Sequence, residues 1–438
     1  MNQTAKDCRL DGWLLYWALC ILSFAIVVGW SGDARGWQDA QDRDREGEQG
    51  ESTRADAETT QNVDHRTVEI QRLFGSITAQ LQRGNDRAVL TSISAQHLLD
   101  WLIERGDVGI ENEEDRRKKL QRLRRSLAQA WSFWGEWLTW DRFEIKHIEW
   151  LADDRVVVTV RHRNSDFQMN SPIRWWVVKT AEGAWKFYDF EDLSQSMRVS
   201  TLIGVLIRSV GEGPPWVPAL ERLVRLIMQS GSDDDLFEEW DQYTGLIDEL
   251  LTYDLPEELE AFALMMRVES ALSMDDDPHV ALNYLKDVAA LENPPPYSKY
   301  LEGRALVYLD RYDEAIESFE AYGRLLWLDA DVYENIADCY LELGERSKAV
   351  QYAELGLADD ERSWGCLATL ALALPDDRKS ELLPHFERAS HDERAYEFVL
   401  DWAIDQDEME TAAIVYEWFK KACPNSDLIS YYNDIFIR

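Results

Sequence analysis

The chain has 438 residues, 45% of them hydrophobic and 19 of them Trp, so it can bury two or three separate cores at about 150 residues per domain and is too long for one small domain. Its net charge of −37 is unevenly spread: residues 211–438 hold 51 acidic and 18 basic side chains, a net of −33, whereas residues 65–210 hold 20 and 22, a net of +2. A surface as negative as that of the C-terminal half repels phosphate backbones, which excludes nucleic acid as its expected partner and favours a protein or peptide of basic or mixed charge.

From Gly12 to Trp30 the chain reads GWLLYWALCILSFAIVVGW, 19 residues without a charge, close to the span of a bilayer's hydrocarbon core. Residues 1–30 are therefore expected to anchor the chain in a membrane in a single pass; cleavage of the segment would make the protein secreted instead. Lys6 and Arg9 precede the stretch and Arg35, Arg43 and Arg45 follow it among many acids. The expected orientation is a short cytoplasmic N-terminus with the bulk on the non-cytoplasmic side. Leu19 is too large for the small residue that precedes a lipidated cysteine, so Cys20 is not read as a lipid site. Residues 31–64, rich in Asp, Glu, Arg, Gln, Gly, Ser and Thr with Trp37 as their only aromatic, read as a disordered spacer.

A domain is expected over 65–195. Val68, Ile70, Leu73, Phe74, Ile77 and Leu81 recur at helical spacing, Leu98, Leu99, Trp101 and Leu102 mark a shorter helix, and a longer one runs from about Glu114 to Trp137. Four β-branched and aromatic runs follow, Phe143–Trp150, Arg155–Arg163, Ile173–Thr180 and Trp185–Phe190, with turn signals at Ala152-Asp153-Asp154 and Glu182-Gly183. Ile173, Trp175 and Val177 face one way and Trp176 and Val178 the other, so both sides of that strand are expected to be covered. Helices first and an antiparallel sheet second is an α+β order.

The long helix carries Arg116, Arg117, Lys118, Lys119, Arg122, Arg124 and Arg125, with Leu120, Leu123 and Leu127 marking its buried stripe and Glu111, Glu113, Glu114 and Asp115 at its start, where the helix dipole favours negative charge. The ridge reads either as a solvated helix face or as a surface that docks on the acidic repeats or on anionic headgroups. Trp131, Trp134, Trp137 and Trp140 recur every three residues and are read as core.

The element order, together with WWVVKTAEGAWKFYDF closing the last hairpin, resembles the nuclear-transport-factor-like (SnoaL-like) family over roughly 130 residues. The resemblance implies a cone whose open end holds an apolar pocket, and relatives that include isomerases, dehydratases and hydrolases. A pocket of that kind would draw on His97, Asp100, His147 and Tyr188, with His162 and Asp189 as further candidates, because burial can shift such groups toward a working pKa. Each has a plainer alternative: His147 as a hydrogen-bonded strand residue, His162 as a solvated residue between Arg161 and Arg163, Asp189 as the start of a turn. No catalytic motif of the family falls on matching residues.

Residues 196–255 read as a helical connector, with apolar helical stretches at Leu202–Val210, Val217–Met228 and Leu236–Leu251 and a loop at Gly211-Glu212-Gly213-Pro214-Pro215. In residues 256–438, Ala281, Ala315 and Ala349 lie 34 residues apart, and the chain around them reads Gly303-x4-Tyr308-x3-Tyr312-x2-Ala315-x3-Phe319 and Tyr333-x2-Ile336-Ala337-x2-Tyr340-x3-Gly344-x4-Ala349. These look like tetratricopeptide (TPR) repeats, at about 258–291, 297–328, 331–361, 362–390 and 394–424, with Leu428–Ile437 as a cap. Pro384 is expected to kink the second helix of the fourth. The resemblance implies a solenoid whose first helices line a partner-binding groove, here through Lys299, Arg304, Asn335 and Asp338, or else present them as ordinary solvated side chains.

Cys339, Cys366 and Cys423 sit in apolar helical patterns and read as free thiols. The chain has no phosphate-binding glycine loop, HExxH, CxxC or GxSxG, and Asp233-Asp234-Asp235 and Asp275-Asp276-Asp277 lack EF-hand spacing, so no cofactor or metal is expected. The reading is a membrane-anchored adaptor or scaffold. Its rival is a cone-fold small-ligand-binding module or enzyme positioned by the repeats: a cavity lined by a buried His, Asp or Tyr favours the rival, and an interior plugged by tryptophans favours the adaptor.

Overall fold

The computed structural model describes residues 65–134, 138–164, 169–194, 197–208, 214–229, 240–273, 277–388 and 391–436. The expected anchor, the spacer, Trp137 and the Asp233-Asp234-Asp235 run lie outside them. The chain divides into two compact units between Phe262 and Ala263.

The first unit opens with helices α1 (His65–Leu81), α2 (Ala88–Ser92), α3 (Ala95–Glu104) and α4 (Glu113–Trp134), followed by strands β1 (Arg142–Ala152), β2 (Arg155–Asn164), β3 (Met169–Lys179), β4 (Trp185–Asp192) and the two-residue β5 (Met197–Arg198). All neighbours are antiparallel, in the order β1-β2-β3-β4-β5, as short turns between consecutive strands dictate. Gly183 takes φ +83° in the β3–β4 turn, a conformation that costs glycine nothing.

Alternation sets which residues meet. Val158 and Val160 of β2 register with Trp175 and Ile173 of β3, and Trp175 in turn registers with Phe190 of β4. Trp175, Phe187 and Phe74 of α1 are essentially inaccessible, with Trp175 4.3 Å from Phe187 and 6.4 Å from Phe74 between ring centroids. Val178, on the opposite side of β3, is also buried, so both sides of the strand are covered as its apolar content requires. Trp131 and Trp140 are buried as the core reading expects. Among the described residues, helices α5 (Val199–Arg208), α6 (Val217–Gln229) and α7 (Trp240–Leu250) follow in the same unit.

Helix α8 (Glu257–Ser273) carries the chain into the second unit. There α9 (Pro278–Ala289), α10 (Tyr297–Tyr308), α11 (Tyr312–Leu325), α12 (Ala330–Glu342), α13 (Arg346–Asp359), α14 (Trp364–Ala373), a 3-10 segment (Asp376–Leu382), α15 (Leu383–Arg388), α16 (Glu393–Asp405), α17 (Met409–Ala422) and α18 (Leu428–Phe436) pack as successive helix hairpins. Ala281, Ala315 and Ala349 are fully buried. The side chains of Asp329, Ser363 and Asp392 accept from Val332 N, Cys366 N and Arg394 N, capping the first helices of three successive hairpins. The turn after a first helix needs a left-handed residue to end it, and Asp310, Gly344 and Asp407 supply it with φ 56°, 75° and 59°.

The fourth hairpin departs from the others. Its second half is not one kinked helix: the 3-10 segment gives way to α15, and Pro384 falls in the first turn of α15, where its missing N–H costs no helical bond. Lys379 of the 3-10 segment is buried, its ammonium donating to Ala371 O at the end of α14 and to Thr411 Oγ1 at 2.8 Å. Burial pulls its pKa down.

Candidate functional site

The candidate surface is built by the first helices of the hairpins. Successive first helices are joined by side-chain contacts, among them Trp364 of α14 with Phe398 of α16 at 6.3 Å between ring centroids. Arg304 Nη1 of α10 lies 3.6 Å from Glu269 Oε2 of α8. Asn335 Nδ2 of α12 donates to Tyr300 OH of α10 at 3.2 Å and to Asp331 O at 2.7 Å. Thr369 Oγ1 of α14 donates to Asp338 Oδ1 of α12. Tyr432 OH of the cap α18 donates to Asp401 Oδ1 of α16 at 2.7 Å.

Of the four groove residues expected from sequence, Arg304, Asn335 and Asp338 thus lie in contacts between successive first helices. Lys299 pairs within α10 to Glu302 at 2.6 Å and is half exposed. The tyrosines beside Arg304 form a cluster, with Tyr297 and Tyr300 stacked at 5.1 Å and Tyr300 5.6 Å from Tyr322. Burial pulls the Arg304 guanidinium down, but Glu269 and the tyrosine hydroxyls outweigh it and hold it fully cationic. Glu269 is pushed up by burial with Arg304 opposing.

The wall is acidic. Burial raises the Tyr300 hydroxyl, and Asp331, Glu334 and Asp329 raise it further despite Arg304. Burial likewise raises the Cys366 thiol, with Glu334, Asp338 and Asp331 adding to it. On α16, Glu393, Glu397, Asp401 and Asp405 follow one another at four-residue steps along one side of the helix. Burial and then the neighbouring charges of Asp401 and Glu393 raise the Glu397 carboxyl. Such a wall attracts cations and repels acidic segments. Among the described residues no group of three or more His, Cys, Asp or Glu is arranged to hold a metal. Among the described residues Cys339, Cys366 and Cys423 stand in no disulfide, and the first two are buried.

The residues expected to line a pocket in the first unit are dispersed. His97 sits in the first turn of α3, its Nδ1 2.7 Å from Ser94 Oγ. Asp100, on the same helix, accepts from Gln96 at 3.0 Å and pairs with Arg116 of α4. His147 is exposed on β1 beside a bulge. Tyr188 is buried at the β4 bulge, where burial pushes its hydroxyl up.

The two further candidates are central, against the plainer alternative that the sequence offered for each. His162, expected in solvent between two arginines, is buried: Trp175 Nε1 donates to its Nε2 at 2.8 Å, and Trp140 lies 4.0 Å away ring to ring. Its Nδ1 therefore carries the hydrogen and meets no partner among the described residues. Burial lowers its pKa to about 3. Asp189 does not begin a turn but lies inside β4, where it accepts from Phe190 N and Ser200 N at 3.0 Å each and pairs with Arg198 Nε. Burial raises its carboxyl against these partners. Arg198 in turn lies 3.8 Å above the Trp176 ring and 4.8 Å from that of Trp101. Local sequence did not reveal this cluster; a carboxylate inside an aromatic strand was the available signal.

No family model matches the chain, and no curated protein sequence is similar to it. Among solved structures, the MamA protein is similar at 18% identity and a TM-score of 0.31, over 43% of this chain and 95% of that one. Pseudomonas aeruginosa PilF is similar at 16% identity and a TM-score of 0.33, over 50% of this chain and 99% of that one. Among the described residues, no helix is long and apolar enough to cross a membrane.

Proposed function

We propose that this protein is an interaction adaptor whose helical stack binds a partner protein through the acidic first-helix wall, and that residues 12–30 hold it at a membrane with its bulk on the non-cytoplasmic side. The observation that carries the reading is the continuity of that wall: side-chain contacts run from α12 to α14 through Asp338 and Thr369 and from α14 to α16 through Trp364 and Phe398, so carboxylates from α12 and α16 belong to one extended surface. A partner segment rich in Lys or Arg fits it. The membrane part rests on the 19 uncharged residues from Gly12 to Trp30, which lie outside the described residues.

The rival reading, a ligand-binding module or enzyme in a SnoaL-like cone, needs an open interior. The packing of Trp175, Phe74, Phe187 and Trp140 around His162 weighs against it, and the low pKa of His162 removes that imidazole as a base matched to neutral pH.

The test uses the full chain as bait in native extract, beside a variant with Glu302 and Glu397 changed to Lys. A discrete basic partner retained by the parent, released by salt and lost by the variant supports the adaptor reading. Equal retention by both chains sinks it.

A further inference from the structure

We propose that α4 is a second membrane contact: its exposed basic face docks on anionic lipid headgroups. The proposal rests on the anchor reading above and extends it from a tether to an oriented attachment.

The helix is divided by its own sequence. Leu123, Ser126 and Leu127 are buried, whereas Arg117, Lys118, Arg122, Arg124 and Arg125 are exposed. At 100° per residue these five span roughly 160° of one side of the helix, the side opposite the buried stripe. The remaining basic residues of the run are used internally: Arg116 pairs with Asp100, and Lys119 with Asp115 and Gly109 O. Lys118 pairs along the helix with Glu114. Arg117, Arg122 and Arg124 have no ion-pair partner among the described residues. A fold that left three arginines together without counter-charge, on a molecule of net charge −37, has kept a positive surface where most of the chain is negative.

The occupant follows from charge and reach. By composition the 34 residues between Trp30 and His65 read as a spacer, and a coil of that length has a root-mean-square span of about 30 Å, so a segment inserted at Gly12–Trp30 would keep the ridge close to headgroups at high effective concentration.

Flotation of the full-length protein and of its R117E/R122E/R124E variant tests this, with vesicles of phosphatidylcholine alone and of phosphatidylcholine mixed with phosphatidylserine, at low and high salt. The parent should partition at least about tenfold more strongly onto the anionic vesicles at low salt, lose that preference at high salt, and lose it in the variant. Circular dichroism of the variant should match the parent, since all three side chains are exposed. Equal partitioning of the parent on both vesicles, or an unchanged anionic preference in the variant, overturns the proposal. So does a variant that loses only salt-sensitive self-association, which assigns the ridge to the acidic repeats of another copy. Failure of the parent to float with neutral vesicles while it floats with anionic ones removes the anchor reading and leaves the ridge standing.

Discussion

Arg304 of α10 and Glu269 of α8 form a buried ion pair at 3.6 Å, with side chains only 12% and 6% exposed. A charge removed from water this far depends on its counter-charge more than the fold depends on the pair. Changing Glu269 alone to Met should therefore cost about 3–5 kcal/mol, while the double change E269M/R304M should recover most of the loss. Denaturant unfolding of the full chain, read by hydrogen exchange of the α10 and α12 amides, measures both. A double variant as damaged as the single one would mean that Arg304 holds the stack through its tyrosines instead.

His162 gives the first unit a pH dependence of defined sign. Its folded pKa of about 3 lies below the ordinary 6.5, so the folded state takes up its proton later than the unfolded chain as pH falls. Stability from this group is complete above pH 6.5 and is lost as pH falls from there toward 3. The glutamine variant H162Q can keep an acceptor for Trp175 Nε1 without titrating. Going from pH 7 to 5, the parent should lose about 2 kcal/mol more than H162Q, at about 1.4 kcal/mol per pH unit below 6.5. Parallel curves for the two proteins would show that His162 titrates in the folded state as it does in the unfolded chain, and contradict its burial.

Gly303 marks the closest approach inside the second hairpin. A Cβ there would sit 2.6 Å from the ring of Phe319, which is fully buried and has no room to retreat. Gly303→Ala should cost about 1–3 kcal/mol by overpacking, despite the better helix propensity of alanine. A thermal melt of the full chain measures it, and an unchanged or raised midpoint would contradict the packing.

Asp407 holds φ +59° in the turn between α16 and α17. Alanine there should cost about 1 kcal/mol, the usual penalty of a left-handed residue with a Cβ and no local hydrogen bond, whereas glycine should leave stability equal or higher. Unfolding of the two variants side by side should rank glycine above alanine; the reverse order would place the turn in another conformation.

The elements were legible where one period dominates. The 34-residue spacing of Ala281, Ala315 and Ala349 located the hairpins because each alanine fills the same narrow gap, and alternation in β3 located Trp175 because the strand is buried on both sides. The contacts were not legible. Spacing puts Arg304, Asn335 and Asp338 on first helices, but which of them meets Glu269, Tyr300 or Thr369 depends on how successive hairpins stack. His162 looked solvated because its neighbours are arginines; Arg161 is itself buried, bonded to Glu144 at 2.5 Å. Asp189 looked like a strand end because the β4 bulge and the pairing with β5 leave no mark in composition.

The adaptor reading is tested most directly by placing a photo-crosslinking residue at position 302, on a first helix, and separately at position 355, an exposed site on the second helix α13, in the full-length protein in its native cells. The account predicts adducts from position 302 to a Lys- or Arg-rich segment of one partner, sensitive to salt, and none from position 355. Adducts from neither position, or the same adducts from both, would contradict it.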